Sequence, residues 1–492
     1  MKKSGFSWVV IVLLAIGVLA SCSGDKAEQP RVLVFGIDGG TWRVIEPMMR
    51  AGELPNLERL YRHGIHGVLE SAPPALSPVV WTTIFTGKPH QMHGIHDWKT
   101  SQSTHRKVAA IWEITSERGM LTYVLNVPGT WPPEDINGVM LSGFPLSGST
   151  VGAGTGIVTR DQWIAKGELP GVYAANRREI ERRAKLLRPG QWSDWFEAKI
   201  PARPNWRGLL RIRRLDEKTL YLSPCYRVDG EFDFGRPKSA LEKVRRALGV
   251  PYIPEGPGWS KHAEKWTPEY LFEHLVQVSR IQSGAAALFA RDPWRLFIFV
   301  DTLVDRTSHP YWAYMSPGDY HNVDPAKAER YGDVVREAYR ETDRQLGRVL
   351  AAAKGKYYVV IVSDHGFHSN PNRFVAIGTH DFDGIYLISA PWLQGEEGRR
   401  ARIDDVTPTI LYLLGLPVGA DMTGRVLPEV VAQVGRQPTQ VASYEQGPRQ
   451  ASEVPVDRQT WEQLRALGYV DGAPPRRQGT AGRRGTGAGP GR

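Results

Sequence analysis

The stretch Arg31-Val-Leu-Val-Phe-Gly-Ile-Asp38-Gly-Gly40 is a continuous apolar run that ends in an acid and two glycines. A run apolar on both faces suits a strand covered on both sides, as in a parallel sheet packed between helices. Leu54, Leu57, Leu60 and Tyr61 follow at helical spacing within Leu54–His63 and complete a β-then-α unit. Similar strands are expected at Leu121–Val127, Arg295–Leu303, Tyr357–Val362 and Gly384–Ala390. Helices are expected at Pro268–Ala290, Pro325–Ala353 and Asp405–Leu416. Strand and helix alternating over this length predict an α/β sandwich around a mostly parallel sheet. No internal repeat is visible.

Sheets of this kind place their functional loops at the carboxyl ends of the strands. Asp38, Asp305 and Asp364 each stand where an expected strand runs out. With them go His309 in Asp305-x-x-x-His309, His365 in Ser363-Asp364-His365-Gly366, His380 in Gly378-Thr-His-Asp-Phe-Asp-Gly384, and Ser77 in Leu76-Ser77-Pro78. Three carboxylates, three imidazoles and a hydroxyl suffice for two metal ions sharing a serine. Paired metals about 4 Å apart are the usual device for gripping both oxygens of an in-line phosphoryl displacement. Ser77-Pro78 also has the form of a helix N-cap with proline in the first turn. The two readings agree, because the free N–H groups of a helix start favour an anionic phosphoryl group. His90, His93 and His96 recur every third residue, but Gly94 interrupts any helix there and no third metal site is expected.

Taken in order, these phrases resemble the alkaline phosphatase superfamily and, within it, the type I phosphodiesterase/nucleotide pyrophosphatase family. The resemblance runs over roughly residues 31–430 and includes Pro74-Ala-Leu-Ser77-Pro-Val-Val-Trp-Thr-Thr-Ile-Phe-Thr-Gly87 and His93-Gly-Ile95. It implies an alkaline-phosphatase-like α/β/α fold and a hydrolase of phosphate esters. It assigns one metal to Asp38, Asp364 and His365, with Ser77 as a further ligand, and a second to Asp305, His309 and His380. It also makes Ser77 the nucleophile that becomes transiently phosphorylated. Mixed carboxylate and imidazole ligands suit catalytic zinc, with manganese, iron or calcium as alternatives.

One position departs from the family. Its nucleotide pyrophosphatases carry an Asn three residues after the nucleophile, where this chain has Val80, which cannot donate to a phosphoryl oxygen. Lys88, Lys99 and Arg306 are substitute cations, each read as a solvated surface charge. Phosphodiester or phosphoanhydride substrates are favoured, with a phosphomonoesterase as the alternative. A sulfatase is the nearest rival on this fold, but it needs Pro and Arg two and four residues after its nucleophile, where Val79 and Trp81 stand. A non-catalytic, surface-anchored binding protein is the rival of a different class.

The remaining features concern location and organisation. Of 492 residues, 41% are hydrophobic and 23% charged, which is ordinary for a globular chain. The formal charge of +10 is concentrated at the ends, so no nucleic-acid partner is expected. Lys2-Lys3 precede an apolar run over Trp8–Ala20, shorter than the roughly twenty residues that span a bilayer. The run ends in Leu19-Ala20-Ser21-Cys22, which resembles a lipoprotein processing site. Residues 1–21 are therefore read as a signal peptide, Cys22 as the acylated residue, and 22–30 as a tether. The expected location is exported and lipid-anchored to a bacterial membrane. Cys225 is then left without a disulfide partner. The core is expected over 31–150 and 266–435, with a β-containing insertion at 151–265 over the active-site face. Residues 436–492 are expected to form a C-terminal extension, with one short helix at Thr460–Leu467 and a disordered tail from about 472. The sequence does not fix an oligomeric state.

Overall fold

The structure is a computed structural model that describes residues 29–145, 156–159, 170–201, 204–223, 225–228, 234–254, 268–447 and 449. The expected signal peptide, Cys22, the helix at Thr460–Leu467 and the tail lie outside the described residues. Seven strands make the body of the central sheet: β1 (Val32–Ile37), β2 (Gly64–Glu70), β3 (Thr122–Leu125), β4 (Gly138–Leu141), β5 (Leu296–Asp301), β6 (Tyr358–Val362) and β7 (Asp383–Ser389). Their spatial order is β4-β3-β5-β1-β6-β7-β2, and short edge strands bring the sheet to ten. The pairs from β4 to β6 are parallel, whereas β7 runs antiparallel to both β6 and β2. The fold is thus a mixed α/β sandwich around a mostly parallel sheet.

β1 is apolar throughout because both of its faces are covered. Leu33, Phe35 and Ile37 point into one core with Phe297, Phe299 and Ile361, beneath helices Pro268–Phe289 and Val334–Ala352. Val32 and Val34 point the other way, into a core with Ile298 and Val360 beneath helices Ser77–Thr86 and Val406–Leu413. Each such side chain contributes about 1.5–3 kcal/mol when fully buried. The expected helix at Pro325–Ala353 divides into Pro325–Tyr331 and Val334–Ala352 around Gly332 and Asp333.

Within the expected insertion, Phe196–Lys199, Arg207–Leu210 and Tyr226–Arg227 form one small antiparallel sheet. Gly156–Thr159, Thr219–Leu222 and Ile212–Arg214 form a second. They share a core of their own with Ile180, Leu210, Ile212 and Leu222. Gly235–Arg236 then pairs with β4, and helix Lys238–Leu248 packs Ala240 and Val244 into the main core. Cys225 is buried, and burial pushes its thiol up to about 12, which leaves it unreactive at neutral pH. Among the described residues, no helix is long and apolar enough to cross a membrane.

Candidate active site

The three acids leave the sheet at one edge. Asp38 follows β1, and its backbone N–H donates to the Asp301 carbonyl of β5 at 3.0 Å. Asp305 lies in the first turn of helix Leu303–Met315, and its N–H donates back to the Asp38 carbonyl at 3.0 Å. Asp364 follows β6, and its Oδ1 accepts from Gly39 N–H at 3.3 Å. The Ser363 hydroxyl accepts from Gly40 N–H at 2.8 Å and donates to the His365 carbonyl at 2.6 Å, pinning the ends of β1 and β6 together. Gly39 has φ +73°, and a Cβ there would lie 3.1 Å from the Asp305 backbone, so this turn requires glycine.

The histidines close around these acids. His309 stands one helical turn after Asp305, with its Nε2 3.4 Å from Asp305 Oδ1. His380, on the hairpin strand Gly378–Asp381, brings its Nε2 to 3.3 Å from the same oxygen and 3.1 Å from His309 Nε2. His365 Nε2 is 3.4 Å from Asp364 Oδ2, 3.6 Å from Asp38 Oδ1 and 3.9 Å from Asp305 Oδ1. The other ring nitrogens explain the orientation. His380 Nδ1 lies 2.8 Å from the Ala75 carbonyl, and His365 Nδ1 lies 3.0 Å from that of Gly366. A carbonyl can only accept, so in the neutral rings Nδ1 carries the proton and Nε2 presents a lone pair, the tautomer suited to a metal ligand.

Ser77 opens its helix differently from a capping serine. The Leu76 carbonyl accepts the first helical bonds, from Val79 and Val80, and Ser77 is the first helical residue. Its hydroxyl is therefore not occupied by capping and lies 3.4 Å from Asp38 Oδ1. Every residue of Ser77–Thr86 is buried, which fixes the serine against the acids.

Two groups of potential ligands result: Asp305 with His309 and His380, and Asp38 with Asp305 and His365. Asp305 belongs to both, a central position that the sequence does not reveal. The donor set fits divalent metal on an observation independent of that grouping. Asp305 Oδ1, Asp364 Oδ2 and His365 Nε2 are buried and have no hydrogen-bond partner. Buried polar atoms left unpaired are costly, and three converging on one spot call for a cation. Charge leads to the same conclusion. Burial, and then the Asp364 and Asp305 charges, push Asp38 well above the usual carboxylate range. Burial followed by the Asp305 charge pushes Asp364 up to about 8. Burial would raise Asp305 too, but His309 and His380 outweigh it and hold that carboxyl low. Burial, reinforced by His380, lowers His365 well below its ordinary value.

Other polar residues settle elsewhere or come as additions. Trp81, one turn after Ser77 on the same helix, donates its indole N–H to Asp38 Oδ2 at 3.0 Å. Gly36 makes room for that indole, since a Cβ there would lie 2.5 Å from the ring. The i, i+4 spacing from Ser77 to Trp81 was the available sequence signal. Val80 is buried in the core. Lys88 is not a solvated charge: it is 2% exposed and bound to Asp421 and Glu445 at 2.7 and 2.8 Å. Arg306 is not solvated either, being 4% exposed beside Asp305 with Tyr226 and Asp38 within electrostatic reach. His93 bonds through Nε2 to Thr83 at 3.0 Å and through Nδ1 to the Ile95 N–H, a structural role.

The profile of the type I phosphodiesterase / nucleotide pyrophosphatase family matches residues 32–382, and the chain belongs to that family. The family is one of phosphodiesterases and nucleotide pyrophosphatases, enzymes of phosphoryl transfer. No curated protein matches the chain. Among solved structures it is similar to phosphonoacetate hydrolase from Sinorhizobium meliloti 1021, at 12% identity and TM-score 0.35, over 69% of this chain and 57% of that one. It is also similar to a protein of glycosaminoglycan metabolism from Bacteroides thetaiotaomicron, at 12% identity and TM-score 0.40, over 81% and 76% of the two chains. A third likeness is to a 2-O glycosaminoglycan sulfatase, at 10% identity and TM-score 0.43, over 85% and 76%.

Proposed function

We propose that the chain is a metal-dependent phosphodiesterase that works through a phosphoserine on Ser77 and is held at a bacterial membrane by a lipid on Cys22. The observation that carries the catalytic reading is the convergence of three unpartnered buried ligand atoms beside the Ser77 hydroxyl. Asp38, Asp364 and His365 would hold one divalent ion with Ser77, and Asp305, His309 and His380 a second, zinc being the best match to these donors. Such ions supply positive charge for the phosphoryl oxygens and lower the pKa of hydroxyl groups they touch.

The chain's own residues do the rest. Asp38, held by Trp81, keeps the Ser77 hydroxyl oriented at the start of its helix, where backbone N–H groups favour the phosphoryl anion. Ser77 Oγ gives up its proton to solvent and bonds to phosphorus as one ester oxygen departs and takes up a proton. The phosphoryl group left on the serine still carries its second ester. Water then breaks the Oγ–phosphorus bond, its oxygen going to the released phosphomonoester and a proton returning to the serine. Cys22 as the anchor is supported by its sequence surroundings, a short apolar run before it and a polar run after it.

A second reading, a phosphomonoesterase, is favoured by Arg306. A monoester carries one more negative charge than a diester, and Arg306 is a buried cation beside Asp305. Rates on an aryl phosphodiester, an aryl monoester, a nucleotide and an aryl sulfate, measured with the metal content of the purified chain, separate the readings. The expected order places the diester first and the sulfate at background. Absence of bound transition metal together with no turnover of any phosphate ester would leave a binding protein instead.

Trp81→Phe keeps the ring against Gly36 but deletes the N–H that orients Asp38. Losing a partner that orients a ligand costs about 10–100-fold in metal affinity or activity. Zinc titration of the metal-depleted variant checks this, and an affinity equal to the parent's would mean that Asp38 is oriented without Trp81.

A further inference from the structure

The edge of the sheet opposite the candidate site has a composition of its own. There the chain enters β1 from Gln29 and Pro30, and Arg31 donates to the Trp294 carbonyl at 2.8 Å and to that of Lys354 at 2.5 Å. Arg295, at the start of β5, donates to the Pro30 carbonyl at 2.9 Å, and its backbone N–H donates to the Leu121 carbonyl at 2.8 Å. Lys354 and Lys356 precede β6, and Trp392 follows β7 with its ring 5.0 Å from that of Tyr358. Leu121, Arg295, Pro30, Lys354 and Trp392 therefore lie along one rim, and all of the candidate site lies at the other.

Two apolar side chains on this rim face solvent, Leu121 at 39% and Trp392 at 45% exposed. Beside it is a cavity of about 770 Å³ with Ala287, Leu288 and Ala351 in its lining, where Arg291, Arg348 and Lys354 also stand. Arg291, Arg348, Lys354 and Lys356 are exposed, and none has an ion-pair partner among the described residues. The neighbouring acid, Asp292, is already bound to Lys243 at 2.6 Å. Unpaired cations together with an exposed Trp and Leu match the interface of an anionic bilayer, where Trp sits at headgroup level and basic residues meet anionic lipid. Residues 1–28, with the apolar run Trp8–Ala20, precede Gln29 at this same rim.

We propose that this rim docks on an anionic phospholipid surface, through Arg291, Arg348, Lys354 and Lys356 and the side chains of Leu121 and Trp392. Docking there turns the Asp38 edge of the sheet away from the lipid and toward soluble or extended substrates. The inference is independent of which phosphate ester is cleaved.

The test uses the full chain mixed with vesicles of phosphatidylcholine alone or with one quarter phosphatidylglycerol. Acetylation rates at individual lysines are then read by mass spectrometry. An anchor alone holds the chain to both kinds of vesicle, whereas docking depends on lipid charge. Lys354 and Lys356 are expected to react about tenfold more slowly on the anionic vesicles, with the exposed Lys199 as an unaffected reference. The protection should vanish in high salt, because exposed charges are screened. R291Q/R348Q should lose most of it while phosphodiester turnover stays at the parent's level. Equal rates at Lys354 and Lys356 on the two compositions, failure to associate with the anionic vesicles, or unchanged protection in R291Q/R348Q would each overturn the proposal.

Discussion

Ser77→Ala should lower turnover of an aryl phosphodiester by on the order of a thousandfold or more while leaving bound metal nearly unchanged. A nucleophile removed from a site that acts as a unit costs several powers of ten. The structure limits the alternative explanations for such a loss. Helix Ser77–Thr86 begins on the Leu76 carbonyl, so the substitution removes no cap. The hydroxyl's hydrogen bond, to Asp38 Oδ1, is long at 3.4 Å, and losing it should cost stability no more than about 1 kcal/mol. The ligand atoms of Asp305, Asp364 and His365 are not in hydrogen-bond contact with Ser77 and should keep their positions. A fall in rate with intact metal and an intact melting temperature would thus report on chemistry. Acid quenching of the parent during turnover should trap the phosphoryl group, still carrying its second ester, on the peptide containing Ser77. A variant that keeps its activity would place the nucleophile elsewhere.

How much of this was legible beforehand follows from the range of the interactions. The run Val32–Ile37 shows its buried character locally, because its two faces meet two cores and each residue must be apolar. The acids at Asp38, Asp305 and Asp364 are legible for a related reason, as polar residues standing where apolar strands stop. Lys88 was not legible. Its partners Asp421 and Glu445 lie 333 and 357 residues away, and an isolated Lys in a sequence is by default a solvated charge. Arg306 misleads in the same way. Trp81 looks like core in an apolar helix, and its bond to Asp38 depends on the helix crossing β1 at Gly36. Two-residue strands such as Gly235–Arg236 carry no periodicity, so the point where the chain rejoins the main sheet through β4 was invisible. The shared position of Asp305 between two ligand groups is set by the approach of three strand ends and a hairpin. No local pattern encodes it.

Removing bound metal should leave a folded chain that becomes less stable as pH rises from about 6.5 to 8, whereas the loaded protein should not. Without a cation, burial and the Asp305 charge hold Asp364 protonated up to about 8, and Asp38 is displaced in the same direction. In the unfolded chain an Asp titrates near 3.9. Between those values the folded state holds a proton that the unfolded state lacks, so unfolding becomes easier as pH rises. The slope is about 1.4 kcal/mol per pH unit for each such proton. Below about 6.5 the buried histidines oppose it. His365, His274 and His93 are all lowered by burial, so there the unfolded chain takes up protons that the folded chain refuses. Above that pH they are neutral in both states and the carboxylates dominate. With metal present the sign changes, because the ion competes with protons for the same atoms and binds better as they leave. Ligand binding stabilises by about 4 kcal/mol when free metal is a thousand times its dissociation constant. Melting curves with zinc and with chelator should therefore diverge as pH rises through this window. Parallel curves would mean that Asp38, Asp364 and His365 do not hold the ion.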